Sequence, residues 1–498
     1  MSRHHPDTVS AVLARGRLGI PAVVFFVVAA AAPLTAVAGG ATTGYAVTGV
    51  LGIPLAYLVV AAVLALFAVG YVAMSRRIVN AGAFYTYVTR GLGRPAGVAA
   101  AMIALVAYNS MQIGLYGVFG AVLSGFLNDR FGMDTTWWLC ALIACAVIAV
   151  LGVLRIDLNG KVLAVLLVAE CVIALVYDAV MVARPVNGGG VSFDTLAPGN
   201  LIGPGIGAAL VTGIAGFVGF EGTTVFAEET KDPQRTVPRA TYIAVAVTGL
   251  LYGLSAWAMS VATGPDQIVA AAQTEGTDLI FNLVAPHLTP SLVTLGRWLF
   301  ITSLFAALLS FHHTVARYAF ALGRERVLPS VLGRTSRRTG APKAGSILQT
   351  ALALVVLTGY VLADADPIVH LFFWLTSLGA LGVLILMTGT SVAVVSYFTR
   401  TAHLDGMWRT TVAPLLSALA LGAILVVTVE QFDALLGVEP TSPLRWMFPA
   451  SYAVAAAIGL AWAFTLRAAR PDVYRTIGLG ADSATAPLRT FDPIRQPV

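Results

Sequence analysis

The sequence predicts an all-α integral membrane protein of twelve transmembrane helices: a five-plus-five inverted repeat with broken first and sixth helices, followed by two C-terminal helices. Three observations predict it. The 498 residues are 58% hydrophobic and only 11% charged, far from the usage of a soluble globular domain. The apolar residues fall into runs of about 20 separated by charged or turn-forming clusters, the length that crosses a bilayer. Two of those runs, the first and the sixth, are interrupted by small residues in matching places: residues 29–40 around Pro33, and residues 213–222 with Gly213, Gly216, Gly219 and Gly222.

Taken in order, the spans lie near 20–46, 51–75, 97–126, 136–154, 161–183 and 203–227, then near 238–263, 292–322, 344–363, 367–398, 410–430 and 446–468. Arg15 and Arg17, an apolar run and Ala36-Val37-Ala38 imitate a signal peptide, but the run continues to Val50, so the first helix is expected to be retained. Head, tail and even-numbered loops collect the Lys and Arg, and only Arg130, Arg184, Arg297 and Arg445 fall on the other side. The positive-inside rule then puts both termini in the cytoplasm of a multi-pass plasma-membrane protein. The net charge of +6 follows from this topology; the basic residues gather on no one face, so no nucleic-acid partner is expected beside the lipid bilayer.

The loop 75–97 is amphipathic and is expected to form a short helix along the inner surface, with residues 264–290 as its outer counterpart. Spans one to five and six to ten then form two inverted copies. Paired broken helices in equivalent positions point to a binding site at the bilayer midplane. The division is residues 1–19 as a cytoplasmic segment, 20–400 as a ten-helix core, 401–468 as spans eleven and twelve, and 469–498 as a disordered tail.

Glycines and a carboxylate, Glu221, at depth in the sixth run suit an unwound segment lining a polar cavity; small-residue helix packing is the competing reading of the glycines. Glu221 either caps the half-helix that resumes after the break or is a protonatable group. Glu170 lies well inside span five, where a carboxyl costs roughly 2.5–3.5 kcal/mol. It either exchanges a proton, packs as a neutral carboxyl or holds a cation. Asp178, near the outer end of that span, is expected to be solvated.

Adjacent His312 and His313 cannot both face one partner, being about 100° apart on a helix. His312 is a candidate for proton coupling or an interhelical hydrogen bond. Tyr108, Asn109 and Gln112 in span three, with Trp374, Thr376 and Ser377 in span ten, could line a cavity. Glu228, Glu229, Lys231, Asp232, Arg235 and Arg239 are expected to form an ion-pair network that gates the inner face. Cys140, Cys145 and Cys171 show no metal-ligand pattern, and no nucleotide loop, zinc pair or nucleophile elbow occurs. No cofactor, metal or enzymatic chemistry is expected.

The stretch 217–240, with F-x-G-F-E and then A-E-E-x-K-x-P-x-R-x-x-P-R-A, resembles the sixth span and following loop of the amino acid-polyamine-organocation (APC) superfamily of permeases. Residues 80–87, NAGAFYTY, look like that family's inner loop after span two, and Ala316-Arg317-Tyr318 with residues 323–329 look like its span-eight exit. The resemblance implies alternating access, with an amino acid or related amine held between broken helices one and six. The contacts it implies are Pro33, Thr35 and Ala36 in span one and Ile214, Ala215, Gly216 and Phe217 in span six, chiefly through main-chain atoms. A proton is the expected coupling ion; an exchanger or an ethanolamine or polyamine carrier is the alternative within transport, and a channel or non-transporting membrane receptor the alternative outside it. Two departures stand out. Pro33-Leu34-Thr35-Ala36 replaces the usual I-G-S-G-like break, and Ala215 replaces a gating aromatic, leaving Phe217 nearest.

Overall fold

The computed structural model describes residues 18–480 except 155, 204, 337 and 338, and leaves the side chains of 156–164 and 187 undescribed. Among these residues the architecture is all-helical. Eleven helices are long and apolar enough to cross a membrane: Ile20–Thr48, Ile53–Ser75, Arg94–Phe131, Val165–Ala183, Ile206–Val225, Pro233–Thr263, Pro290–Arg324, Lys343–Leu362, Pro367–Arg400, Trp408–Glu430 and Leu444–Ala469. Trp137–Gly152 is also apolar but has 16 residues. That is about 24 Å of helix, shorter than a hydrocarbon core of about 30 Å. Arg94–Phe131, by contrast, at 38 residues reaches about 57 Å and must project beyond the core.

Both interrupted helices break, each at a position its chemistry explains. The first runs from Ile20 to Ala31, reverses at Ala32 with φ 44°, and resumes as a π-helix over Thr35–Ala41 and an α-helix over Thr42–Thr48. Pro33 follows the reversal and has no N–H to return to the Ala29 carbonyl. The Leu34 N–H turns instead to the Glu170 carboxylate, 3.5 Å away.

The second helix stays regular through Phe217, so Ile214–Phe217 are helical and not unwound. The break occupies Val218–Glu221, with Gly219 at φ 118°, before a short helix Gly222–Val225. Gly219 is required twice over. Its φ suits glycine, and a Cβ there would lie 2.6 Å from the Ala30 Cβ, so the two broken helices touch at their breaks. Gly213 and Gly216 serve packing: their Cβ positions would meet Val60 at 3.1 Å and Tyr57 at 3.1 Å.

The loop after the second span contains the expected helix, Ala83–Leu92, but it is not laid along a surface. Residues 83–89 are all buried, and Gly91 lies directly against the backbone of Ala393. On the opposite side, residues 264–290 hold the helices Ile268–Glu275 and Leu279–Val284. The tail is ordered where it is described: Pro471–Thr476 is helical and Val473 and Ile477 are buried, while 481–498 lie outside the described residues. Residues 1–17 also lie outside them.

Candidate functional site

Between the first break and the helical turn that leads into the second lies a cavity with about 540 Å³ of atom-free space, mouth included. Ala30, Ala31, Ala32, Thr35 and Ala36 form one wall, and Thr212, Ala215 and Gly216 the facing wall. Met111 and Leu115, Ala307 and Phe311, and Phe372, Phe373, Thr376 and Ser377 complete it. Among the described residues no charged side chain lines it. Its polarity comes from a few hydroxyls and from helix ends. The helix Ile20–Ala31 presents its C-terminal, carbonyl end at Ala30–Ala32, the partially negative pole of a helix. The Thr212 hydroxyl lines the cavity and is buried without a partner among the described residues.

Tyrosines hold the frayed backbone. Tyr252 donates to the Ala31 carbonyl at 2.8 Å, and Tyr57 donates to the Ala36 carbonyl at 3.3 Å. Phe217 packs against both rings, at 6.4 Å from Tyr57 and 5.6 Å from Tyr252. Tyr252 and Tyr57 escaped the sequence reading, although a tyrosine deep in an apolar run must find a partner and is in that sense a signal.

Of the contacts expected from sequence, Thr35, Ala36, Ala215 and Gly216 line the cavity; Pro33, Ile214, Phe217, Asn109 and Gln112 do not. Asn109 turns back to the Leu105 carbonyl at 2.6 Å. Gln112 joins His312 at 3.3 Å, and His312 also reaches Ser346 at 2.7 Å, while Gln349 donates to the Gln112 carbonyl. This ties three helices together behind the cavity wall. Of Tyr108, Trp374, Thr376 and Ser377, the last two face the cavity.

Each break has a buried carboxylate beside it. Glu170 lies against Leu34 and the Ser303 hydroxyl, which itself accepts from Thr35 at 3.4 Å. Glu221 does not cap the following helix with its side chain. It reaches back to accept the Gly219 N–H at 2.9 Å and takes the Tyr108 hydroxyl at 2.7 Å. Its own carbonyl accepts from Tyr71 at 3.0 Å. Asp178 is buried and accepts from Ser255 at 2.7 Å, so the expectation of a solvated group is corrected: the helix Pro233–Thr263 covers it.

At the basic end of the bundle, below the cavity, the two glutamates of the charged loop find partners on the helix Pro290–Arg324. Glu229 takes Arg317 through bonds of 2.6 and 3.3 Å, both side chains about 97% buried. Glu228 takes Arg324 at 2.8 and 2.9 Å and also accepts the Ala81 N–H at 3.0 Å. The N-terminal segment straps this loop, with Leu18 N–H to the Glu229 carbonyl at 3.0 Å and Lys231 N–H to the Leu18 carbonyl at 2.9 Å. The expected pairing within the loop is thereby corrected. Lys231, Arg235 and Arg239 are exposed, and Arg235 meets Asp232 at 3.7 Å. Arg317 and Arg324 are the cations that hold this end.

The chain is similar to known proteins along most of its length. A family model described as amino acid permease matches residues 18–458. The low-affinity putrescine importer PlaP of Escherichia coli K12 is 23% identical over 455 residues, covering 88% of this chain and 94% of that protein. The chloroplastic cationic amino acid transporter 7 of Arabidopsis thaliana is 29% identical over 159 residues, 30% of this chain and 25% of the plant protein.

Proposed function

Because the chain belongs to the amino acid permease family, within the APC superfamily, we propose that it carries an amino acid or related amine across the plasma membrane by alternating access. The observation that carries this reading is the cavity between the first break and the helix that leads into the second. An ammonium group is drawn to the carbonyl end at Ala30–Ala32, where Pro33 leaves the Ala29 carbonyl without its helical partner. A carboxylate is favoured near Thr35, at the start of the resumed helix, with the Thr212 hydroxyl as a further donor; the Ala36 N–H already returns to the Ala32 carbonyl at 2.9 Å. Phe311, Phe372, Phe373, Met111 and Leu115 leave apolar room for a side chain. A diamine such as the one in the name of the E. coli relative would bring a second cation, and among the described residues no carboxylate lines this cavity to receive it. An amino acid is therefore favoured over a diamine.

The same reading takes Trp137–Gly152 as a twelfth span, spans one to five and six to ten as inverted repeats, and both termini as cytoplasmic. It takes the basic end as the inner gate, and a proton as the coupling ion, with Glu170 its carrier beside the first break. Purified protein in proteoliposomes tests it. Saturable counterflow of a labelled amino acid is expected, whereas unsaturable flux, as through a channel, overturns the carrier. A pH gradient should drive accumulation without sodium, and Glu170→Gln should abolish accumulation while keeping counterflow. Sodium-dependent accumulation that survives Glu170→Gln refutes the proton assignment.

A further inference from the structure

A second cavity, unconnected with the first, opens at the basic end between the turn that follows Pro290–Arg324 and the last long helix, Leu444–Ala469. It holds about 1020 Å³ of atom-free space and is lined by Arg326, Arg334 and Arg470 over a floor of Val327, Leu328 and Trp462. The turn is built for this. Arg326 takes φ 61°, and Val327 and Leu328 fold back onto the Leu322 carbonyl at 2.9 and 3.2 Å. Trp462 donates to the Val327 carbonyl at 2.8 Å, fixing the floor to the last long helix.

Three guanidiniums thus share one concavity, all exposed, and among the described residues none is in an ion pair. The adjacent Glu325 offers them nothing: it is buried and holds the Tyr85 hydroxyl and the Gly478 and Gly480 N–H groups. Leading away from the cavity along Leu444–Ala469, Trp462, Ile458 and Val454 recur every fourth residue and so share one face, 40%, 57% and 57% exposed. Trp at the end of an apolar stripe is the usual mark of the headgroup level.

We propose that this cavity binds the headgroup phosphate of an anionic phospholipid, whose acyl chains lie along the stripe Val454, Ile458 and Trp462. Arginine forks match phosphate oxygens, and basic pockets between spans suit anionic headgroups. A zwitterionic headgroup brings its own cation toward three guanidiniums and is disfavoured. A free phosphate would use the arginines but leave the apolar floor and stripe unused. Because Arg470 comes from the segment leading into the docked tail, the bound lipid would also join that segment to the turn after Pro290–Arg324.

Native mass spectrometry on the full-length protein in detergent tests this, titrating phosphatidylglycerol and phosphatidylcholine of matched chains. Phosphatidylglycerol is expected to bind at least about tenfold more tightly, and the triple variant Arg326→Gln, Arg334→Gln, Arg470→Gln to lose about a hundredfold of that affinity. Arg409→Gln, at an exposed arginine elsewhere, should leave it unchanged. Should the triple variant fail to fold, Arg334→Glu alone is expected to lose about tenfold. Equal binding of the two lipids, retention of phosphatidylglycerol by the variants, or full displacement by millimolar inorganic phosphate would each overturn the proposal.

Discussion

If the basic end is a gate, the Glu229–Arg317 pair should decide how often it opens, and the structure fixes the size of the effect. Both side chains are about 97% buried. Arg317 also donates to the His313 carbonyl at 3.2 Å and lies over the Phe226 ring at 5.1 Å. Glu229→Gln keeps the shape but leaves Arg317 charged and unmatched in the closed state, a loss of about 3–5 kcal/mol when one partner of a buried pair is removed. On opening, Arg317 regains water, so most of that loss is confined to the closed state. The closed-to-open ratio should fall by about two to nearly four orders of magnitude at most, since about 1.4 kcal/mol is a factor of ten. The assay is labelling of Ser377→Cys, in the cavity wall, with Cys140, Cys145 and Cys171 replaced by Ala. An impermeant thiol reagent applied from the basic side should label it at least about tenfold faster in Glu229→Gln. The double variant Glu229→Leu, Arg317→Met, which buries no unmatched charge, should fall back toward the parent rate. Unchanged labelling in a folded Glu229→Gln protein, or a double variant as fast as the single, would refute the gating argument.

Gly219→Ala should abolish counterflow and lower the unfolding temperature, because it forces alanine to φ 118° and drives a Cβ within 2.6 Å of Ala30; Gly125→Ala, where a Cβ meets nothing, should do neither. Stability should fall as pH rises through the titration of the Glu325 carboxyl. Burial raises it above the ordinary glutamate range, against the opposing pull of Tyr85, Gly478, Gly480 and Arg324. The folded protein therefore holds this proton more tightly than the unfolded chain does, so its contribution to stability is full in acid and is lost as pH climbs through the raised value. The unfolding temperature, as a difference from Glu325→Gln, should fall from pH 5.5 to 8; a flat difference removes Glu325 as the cause.

What the sequence made legible was chemistry that acts locally. Pro33 cannot continue a helix, and a glycine run with a buried acid marks a break, so both interruptions could be read. Their exact places could not. Gly213 and Gly216 look like Gly219 in the sequence, yet the first two admit Val60 and Tyr57 while only the third takes a left-handed backbone. Which glycine does which depends on neighbours from other helices. Span three shows the same limit. The polar Asn109 and Gln112 attracted attention, but Met111 and Leu115, four apart on one face, line the cavity.

Long-range pairing was hidden for a related reason. Glu228 and Glu229 could be recognised as the ends of a network, but their cations, Arg324 and Arg317, lie 96 and 88 residues away. Local spacing favoured Lys231, Arg235 and Arg239, which are exposed. Depth along one helix is not depth in the protein: Asp178 lies near the end of its span, yet Ser255, 77 residues on, closes over it.

The two carboxylates at the breaks can now be weighed against each other. Each accepts an N–H that its broken helix no longer satisfies, Leu34 for Glu170 and Gly219 for Glu221. Their commitments differ. Glu221 has both oxygens engaged at short range, by Tyr108 at 2.7 Å and Gly219 at 2.9 Å, so protonating it would either displace the Gly219 N–H or make the Tyr108 hydroxyl turn and give up a short bond. Glu170 holds Leu34 at only 3.5 Å, and its other neighbour is the Ser303 hydroxyl, which can turn from donor to acceptor. A proton can therefore arrive at Glu170 without breaking a strong bond, and its arrival loosens an amide one residue from Thr35 in the cavity wall. That asymmetry favours Glu221 as a structural tie across the second break and Glu170 as the group that changes state.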